Sequence, residues 1–141
     1  INGSIIVSTP QNVALADARR EIKMFQQDSI SVPIIGLIEN MAYFQADESD
    51  EKNYIFGEAG VKYLSKDLNI EFLGEVPIYK SLREASDFGR PASLQESTDV
   101  SKVFDNISKS VVEQLLKRNK DLPPTKVVEI TNLVGCSAIK K

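Results

Sequence analysis

Residues 32–44 read VPIIGLIENMAYF, and the fold turns on this stretch. From Val32 to Ile38 nearly every residue is apolar and four are β-branched. That is the composition of a strand covered on both faces, as in parallel sheets whose crossover helices lie on either side. Glu39 and Asn40 then interrupt the apolar run and are expected to close the strand at its carboxyl end. In open α/β sheets ligands bind outside the carboxyl ends of the strands, so position alone makes Asn40 a candidate ligand contact. Glu39 is expected to be solvated or paired with a nearby Lys or Arg.

Upstream, Ser4 to Ser8 is a short β-branched strand, and Thr9-Pro10 reads as an N-cap followed by Pro at the first helical position, where its missing N–H costs nothing. Leu15, Ala18, Ile22 and Phe25 recur at helical spacing, with Arg19, Arg20, Glu21 and Lys23 mostly elsewhere, so the helix that follows buries one face. Downstream, residues 45–53 (QADESDEKN) place four carboxylates between Asp47 and Glu51 and read as a solvated loop. Gly57 is expected to open a helix with Val61, Leu64 and Leu68 on one side. IEFLGEVP then gives a third short strand ending at Gly74.

Strand, helix, strand, helix, strand implies right-handed βαβ units and a parallel sheet. A short helix stopped by Gly89, with Pro91 beyond, and a longer one capped by Asp99 and carrying Val100, Val103, Ile107, Val111 and Leu115 complete the cover. The expected fold class is therefore α/β, with three layers, α/β/α. Residues 1–118 form its body and 119–141, with a Pro-Pro hinge and a possible strand at Lys126 to Ile130, an appendage. The chain enters its first strand almost at once and without an initiator Met. A bare sheet edge would result unless something N-terminal pairs with it, so upstream sequence is expected.

Composition narrows the function classes. The 141 residues are 42% hydrophobic, enough for one domain with a real core. The net charge of −3, with no basic stripe interleaved with aromatics, argues against a nucleic-acid partner. One Cys and no His argue against a disulfide framework and a self-contained zinc site. No apolar run approaches membrane-spanning length and no secretory leader is read, so no membrane partner and a cytoplasmic location are expected.

IIVSTPQNVALADARREIKMF, GLIENMAYF, YIFGEAGVKYLSKDLNIEFLGEVPI and REASDFGRP together resemble the C-terminal half of the Mrp/ApbC family, P-loop ATPases of the MinD/ParA group that carry iron–sulfur clusters. The resemblance runs in order from about residue 3 to residue 116. It implies a slow, cytosolic ATPase that binds ATP with Mg, works as a homodimer with nucleotide near the subunit interface, and exchanges clusters with client or scaffold proteins. The family's Gly-rich, Lys-containing phosphate loop and its Walker B Asp would precede the VSTPQ strand and are not in this chain. Without that nest of backbone N–H groups and its Lys, the chain alone cannot cradle a triphosphate. Many members also place Cys-x-x-Cys just after the ENM segment, where this sequence has FQADESDEK. Carboxylates do not replace thiolates as cluster ligands.

An Asn at a strand end offers one acceptor and two donors, matching the N6 donor and N7 acceptor of an adenine edge. By resemblance, Asn40 is the base-reading residue, and the backbone from Val76 through Pro77 to Ile78 lines the adenine. The plainer reading is that Asn40 satisfies its own turn and Pro77 merely ends a strand. Thr9 and Gln11 lie at the carboxyl end of the first strand. Asp17 and Arg20 are expected to be a helix-surface pair. Cys136 is the one thiol and hence the one candidate cluster ligand; two copies per dimer would supply half of the usual four. Two other classes remain open: a positioning or partitioning ATPase of the MinD/ParA type without a cluster role, and a nucleotide-free interaction module.

Overall fold

The computed structural model describes residues 1–45, 51–95 and 98–123. Its element order is β1 (Ser4–Ser8), α1 (Asn12–Phe25), β2 (Ile34–Phe44), α2 (Gly60–Leu68), β3 (Phe72–Ile78), α3 (Lys80–Asp87), a 3₁₀ turn at Ala92–Leu94 and α4 (Asp99–Asp121). The three strands form one sheet in the order β1-β2-β3, with both pairings parallel. The βαβ alternation read from the sequence is therefore realised.

Strand alternation sorts the helices to two faces. Leu37 of β2 is fully buried with Ile6, Ala18, Ile22, Val61 and Leu64, and this cluster joins the sheet to α1 and α2. The next residue, Ile38, pairs with Gly74, and a Cβ on Gly74 would lie 2.7 Å from Ile107 of α4. So α4 packs on the opposite face, and Gly74 (φ +153°) lets it come that close. A second cluster, Ala85, Ala92 and Val100 with Tyr79, Leu82 and Phe104, seats α3 and the 3₁₀ turn on the start of α4. The layers are α/β/α, and the spaced apolar residues of α1 and α2 face inward as their period requires.

Several boundaries differ from those read in the sequence. β2 does not stop at Ile38 but runs to Phe44, whose N–H and C=O exchange hydrogen bonds of 2.8 Å with Asn53 in an isolated antiparallel bridge. The polar pair did not end the strand because Glu39 finds a buried partner, described below. β3 likewise continues past Gly74 to Ile78. Pro77 is accommodated because, among the described residues, β3 is the outer strand of the sheet, where a missing N–H on the outer side breaks no ladder.

The first helix begins at Asn12 with Gln11 as its N-cap residue, and the Thr9 hydroxyl bonds the Gln11 side-chain Oε1 at 3.1 Å instead of capping. α2 begins at Gly60 rather than Gly57. The last helix is capped by Thr98, whose Oγ1 accepts from the Ser101 N–H at 3.1 Å, while Asp99 takes the first helical position. Asp17 and Arg20 make the expected exposed pair at 2.6 Å. The possible strand at Lys126 to Ile130, most of the carboxylate loop and Cys136 lie outside the described residues.

Candidate functional site at the carboxyl ends of the strands

All three strands point the same way, so their carboxyl ends gather at one edge of the layer. There Asn40 of β2 and Val76 of β3 are register partners. In a parallel pair, residues side by side at one level share a face, so Asn40 and Val76 stand together on the α4 side of the sheet. Asn40 is half-buried; Val76 and Pro77 are buried and Ile78 is half-buried. Asn40 and Val76 are thus side by side, with Pro77 and Ile78 following along β3 and Pro77 on the opposite face.

Immediately beyond, β2 departs from regular geometry. Met41 has φ +54°, and the register passes from Asn40–Val76 directly to Phe44–Ile78. Four steps along β2 answer two along β3, which is a bulge. Bulges of this kind re-aim side chains at strand ends. Nothing in the hydrophobic pattern announced it, since ENMAYF resumes apolar residues without a Gly or Pro.

One residue earlier and on the opposite face, Glu39 is 1% exposed. The expectation of a solvated or cation-paired carboxylate is thereby overturned. Its Oε2 accepts a 2.7 Å hydrogen bond from the N–H of Val61, at the amino end of α2. The first N–H groups of a helix have no intrahelical partner, and their partial positive charge suits a carboxylate. Desolvation is nevertheless the larger effect and pushes the Glu39 pKa up, with the neighbouring Glu75 charge adding to it; the Val61 amide and Lys62 pull it down.

Glu75 is the register partner of Glu39 on β3 and pairs with Lys52 at 3.5 Å. Lys52 also sits 4.0 Å over the Tyr43 ring, and Tyr43 meets Tyr54 edge-on at 6.0 Å between centroids. Loop residues 51–54 are tied back to the sheet by these contacts and by the Phe44–Asn53 bridge. Burial first, then Tyr43 and Asp99, raise the Tyr79 pKa, while Lys52 lowers it.

A cleft of about 730 Å³ opens between α1 and α2, lined among others by Gln11, Asn12, Arg19, Phe56, Tyr63 and Asp67. It lies on the Glu39 side of the sheet, and none of Asn40, Val76, Pro77 or Ile78 contributes to it. Among the described residues no group of three or more His, Cys, Asp or Glu side chains could hold a metal ion. No helix of the described residues is long and apolar enough to cross a membrane.

A three-stranded parallel sheet covered by helices on both faces defines an α/β layer of the P-loop NTPase type. The chain belongs to the ParA family described as NUBPL iron-transfer P-loop NTPase, whose model matches residues 1–112. It is 44% identical over 122 residues to the iron-sulfur cluster transfer protein NUBPL of Dictyostelium discoideum, covering 86% of this chain and 37% of that protein. It is 41% identical over 124 residues to the iron-sulfur protein required for NADH dehydrogenase, mitochondrial, of Arabidopsis thaliana, covering 86% of this chain and 39% of that one. Among solved structures it is similar to the nucleotide-binding protein of Archaeoglobus fulgidus in complex with ADP. There the identity is 39% and the TM-score 0.55, over 63% of this chain and 36% of that one. The chain spans less than two fifths of the length of these curated relatives.

Proposed function

We propose that this chain supplies the adenine-binding side of the nucleotide domain of an iron–sulfur cluster carrier, and that the protein bearing it is a slow ATPase that takes ATP with Mg and works as a homodimer. The observation that carries the reading is the pairing of Asn40 with Val76 at the carboxyl edge of the sheet. Family membership and the ADP-bound relative support it. The amide of Asn40 would meet the N6/N7 edge of adenine, with the Val76–Ile78 backbone along the ring. Phosphates would be held by a Gly-rich Lys loop that is not among these 141 residues.

The cluster is cargo in this scheme, passed to client proteins. Of its ligands this chain would supply Cys136, its one thiol, which lies outside the described residues. The remaining thiolates would come from the partner copy, a client or other parts of the protein. The cytoplasmic location expected from the sequence competes with a mitochondrial one, which the name of the Arabidopsis relative favours; cell fractionation decides between them.

The test is competitive binding of ATP and GTP to the protein that carries this chain together with the rest of the family domain. Asn40→Ala is expected to weaken ATP by ~1–3 kcal/mol and to erode discrimination against GTP. Equal loss for both nucleotides would make Asn40 a structural residue and remove the base-reading assignment.

A further inference from the structure

We propose that Glu39 is a positioning residue for the nucleotide face, holding the first turn of α2 to β2 and thereby fixing where Asn40 stands; this rests on the reading of Asn40 as the base contact. The argument begins with what holds Asn40 in place. Downstream of it, Met41 adopts φ +54° and regular pairing with β3 is lost until Phe44. A strand that leaves its ladder just after a ligand contact is next held to β3 only at Phe44, four residues on. The nearer constraint is upstream, and the residue immediately upstream is Glu39.

Glu39 is well anchored. Ser8 of β1 and Glu75 of β3 flank it in the sheet, and its carboxylate grips the Val61 N–H at 2.7 Å. Gly60, the neighbour of Val61, lies against the turn leaving β1, so close that a Cβ there would be 2.4 Å from the Pro10 carbonyl oxygen. Two segments therefore meet the start of α2: the turn after β1 at Gly60, and the β2 residue before Asn40 at Val61. The charged groups around the Glu39 carboxylate are Glu75, which is paired with Lys52, and Lys62, whose backbone N–H also favours the carboxylate; among the described residues no cation pairs with it directly. Burying a carboxylate for backbone amides alone is a costly way to join a helix to a sheet. What it provides is a directional, short contact that admits one register, which positioning requires and general packing does not supply.

The experiment measures ATP and GTP affinities, and hydrogen exchange at the Val61 amide, for the protein carrying this chain with the rest of the family domain. Asn40→Ala is the reference variant. Glu39→Ala is expected to lose about tenfold in ATP affinity and most of the preference over GTP, with faster exchange at Val61. Glu39→Gln, which keeps an acceptor at the same reach, is expected to stay within about threefold of the parent in affinity, selectivity and exchange. Glu39→Asp, a carboxylate one methylene shorter, is expected to behave like Glu39→Ala and serves where the alanine variant does not fold.

A loss of folded protein would lower both nucleotide affinities together, so the ATP/GTP ratio separates positioning from stability. Loss of selectivity in Asn40→Ala with parental selectivity in folded Glu39→Ala or Glu39→Asp overturns this inference alone. Parental selectivity in Asn40→Ala overturns the base-reading assignment and this inference with it.

Discussion

Replacing Glu39 separates two opposing effects of its burial, and the outcome is a stability difference whose size depends on pH. In Glu39→Ala the Val61 N–H, enclosed beneath a residue that is itself 1% exposed, loses its acceptor. An unsatisfied buried donor costs ~1–3 kcal/mol, and the vacated methylene adds ~0.8 kcal/mol. Against these stands relief from desolvating an ion, so a net destabilisation of ~2 kcal/mol is expected near neutral pH. Glu39→Gln keeps the acceptor and the shape while removing the charge. Because burial raises the Glu39 pKa, the ionised form is less favourable in the folded protein than in the unfolded chain. The neutral isostere should then be at least as stable as the parent at neutral pH.

The direction of the pKa shift also sets the pH window. With the folded pKa above the unfolded value of about 4.3, the native state binds more protons between the two values. The parent's stability contribution from Glu39 is fully present below the unfolded pKa and is lost as pH rises through the folded pKa. The advantage of Glu39→Gln should accordingly vanish near pH ~4 and open as pH rises. Urea unfolding of parent, Gln and Ala variants across a pH series reads both quantities as shifts in midpoint at constant slope. A Gln variant less stable than the parent at neutral pH, with a gap that closes on acidification, would refute the reasoning. It would mean that the amino end of α2 stabilises the charge by more than burial penalises it.

Gly60→Ala should destabilise by ~1–3 kcal/mol in the same assay, because the new Cβ would meet the Pro10 backbone oxygen at 2.4 Å and backbone cannot turn aside as a side chain can. Parental stability in that variant would mean that the contact between α2 and the turn after β1 is loose. Thr98→Ala should cost ~1 kcal/mol through loss of the α4 cap, read as a lower urea midpoint, whereas Asp99→Ala should change stability by less than that because Asp99 is not the capping side chain. Equal effects at the two positions would return the cap to Asp99.

The sequence carried the architecture because the architecture is written in periods. Ile6, Leu37, Ala18, Ile22, Val61 and Leu64 appear at strand or helix spacing, and they are the residues that close the core between sheet and helices. The ends of the elements were less legible. GLIENMAYF reads as a strand stopped by two polar residues, and only the N–H of Val61, 22 positions away, shows why it continues. A carboxylate satisfied by a distant helix terminus looks the same in sequence as one dissolved in water. The one local signal was negative: no Lys or Arg adjoins Glu39 within the strand. The Asn40 bulge was likewise hidden, because left-handed φ at Met41 is imposed by tertiary fit rather than by a Gly.

The two faces of β2 assign adjacent residues to different tasks, and this constrains how such a site can change. Asn40 looks toward the surface shared with Val76, while Glu39 looks toward α2 and its level partner Glu75. A slip of β2 by one residue would, according to its direction, put the carboxylate of Glu39 at the Asn40 position or the amide of Asn40 against the helix start. On the proposed assignment the carboxylate could accept from adenine N6 but would have no proton for N7 and would repel it, whereas the amide would still accept from Val61. The arrangement is thus asymmetric. If Asn40 reads the base as proposed, the helix contact would tolerate an amide but the base contact would not tolerate a carboxylate, so selectivity would depend on the register that the Glu39–Val61 bond helps to hold. Sequence changes that loosen α2 or the turn at Pro10 should then reach the proposed nucleotide face through backbone position, without altering Asn40 itself.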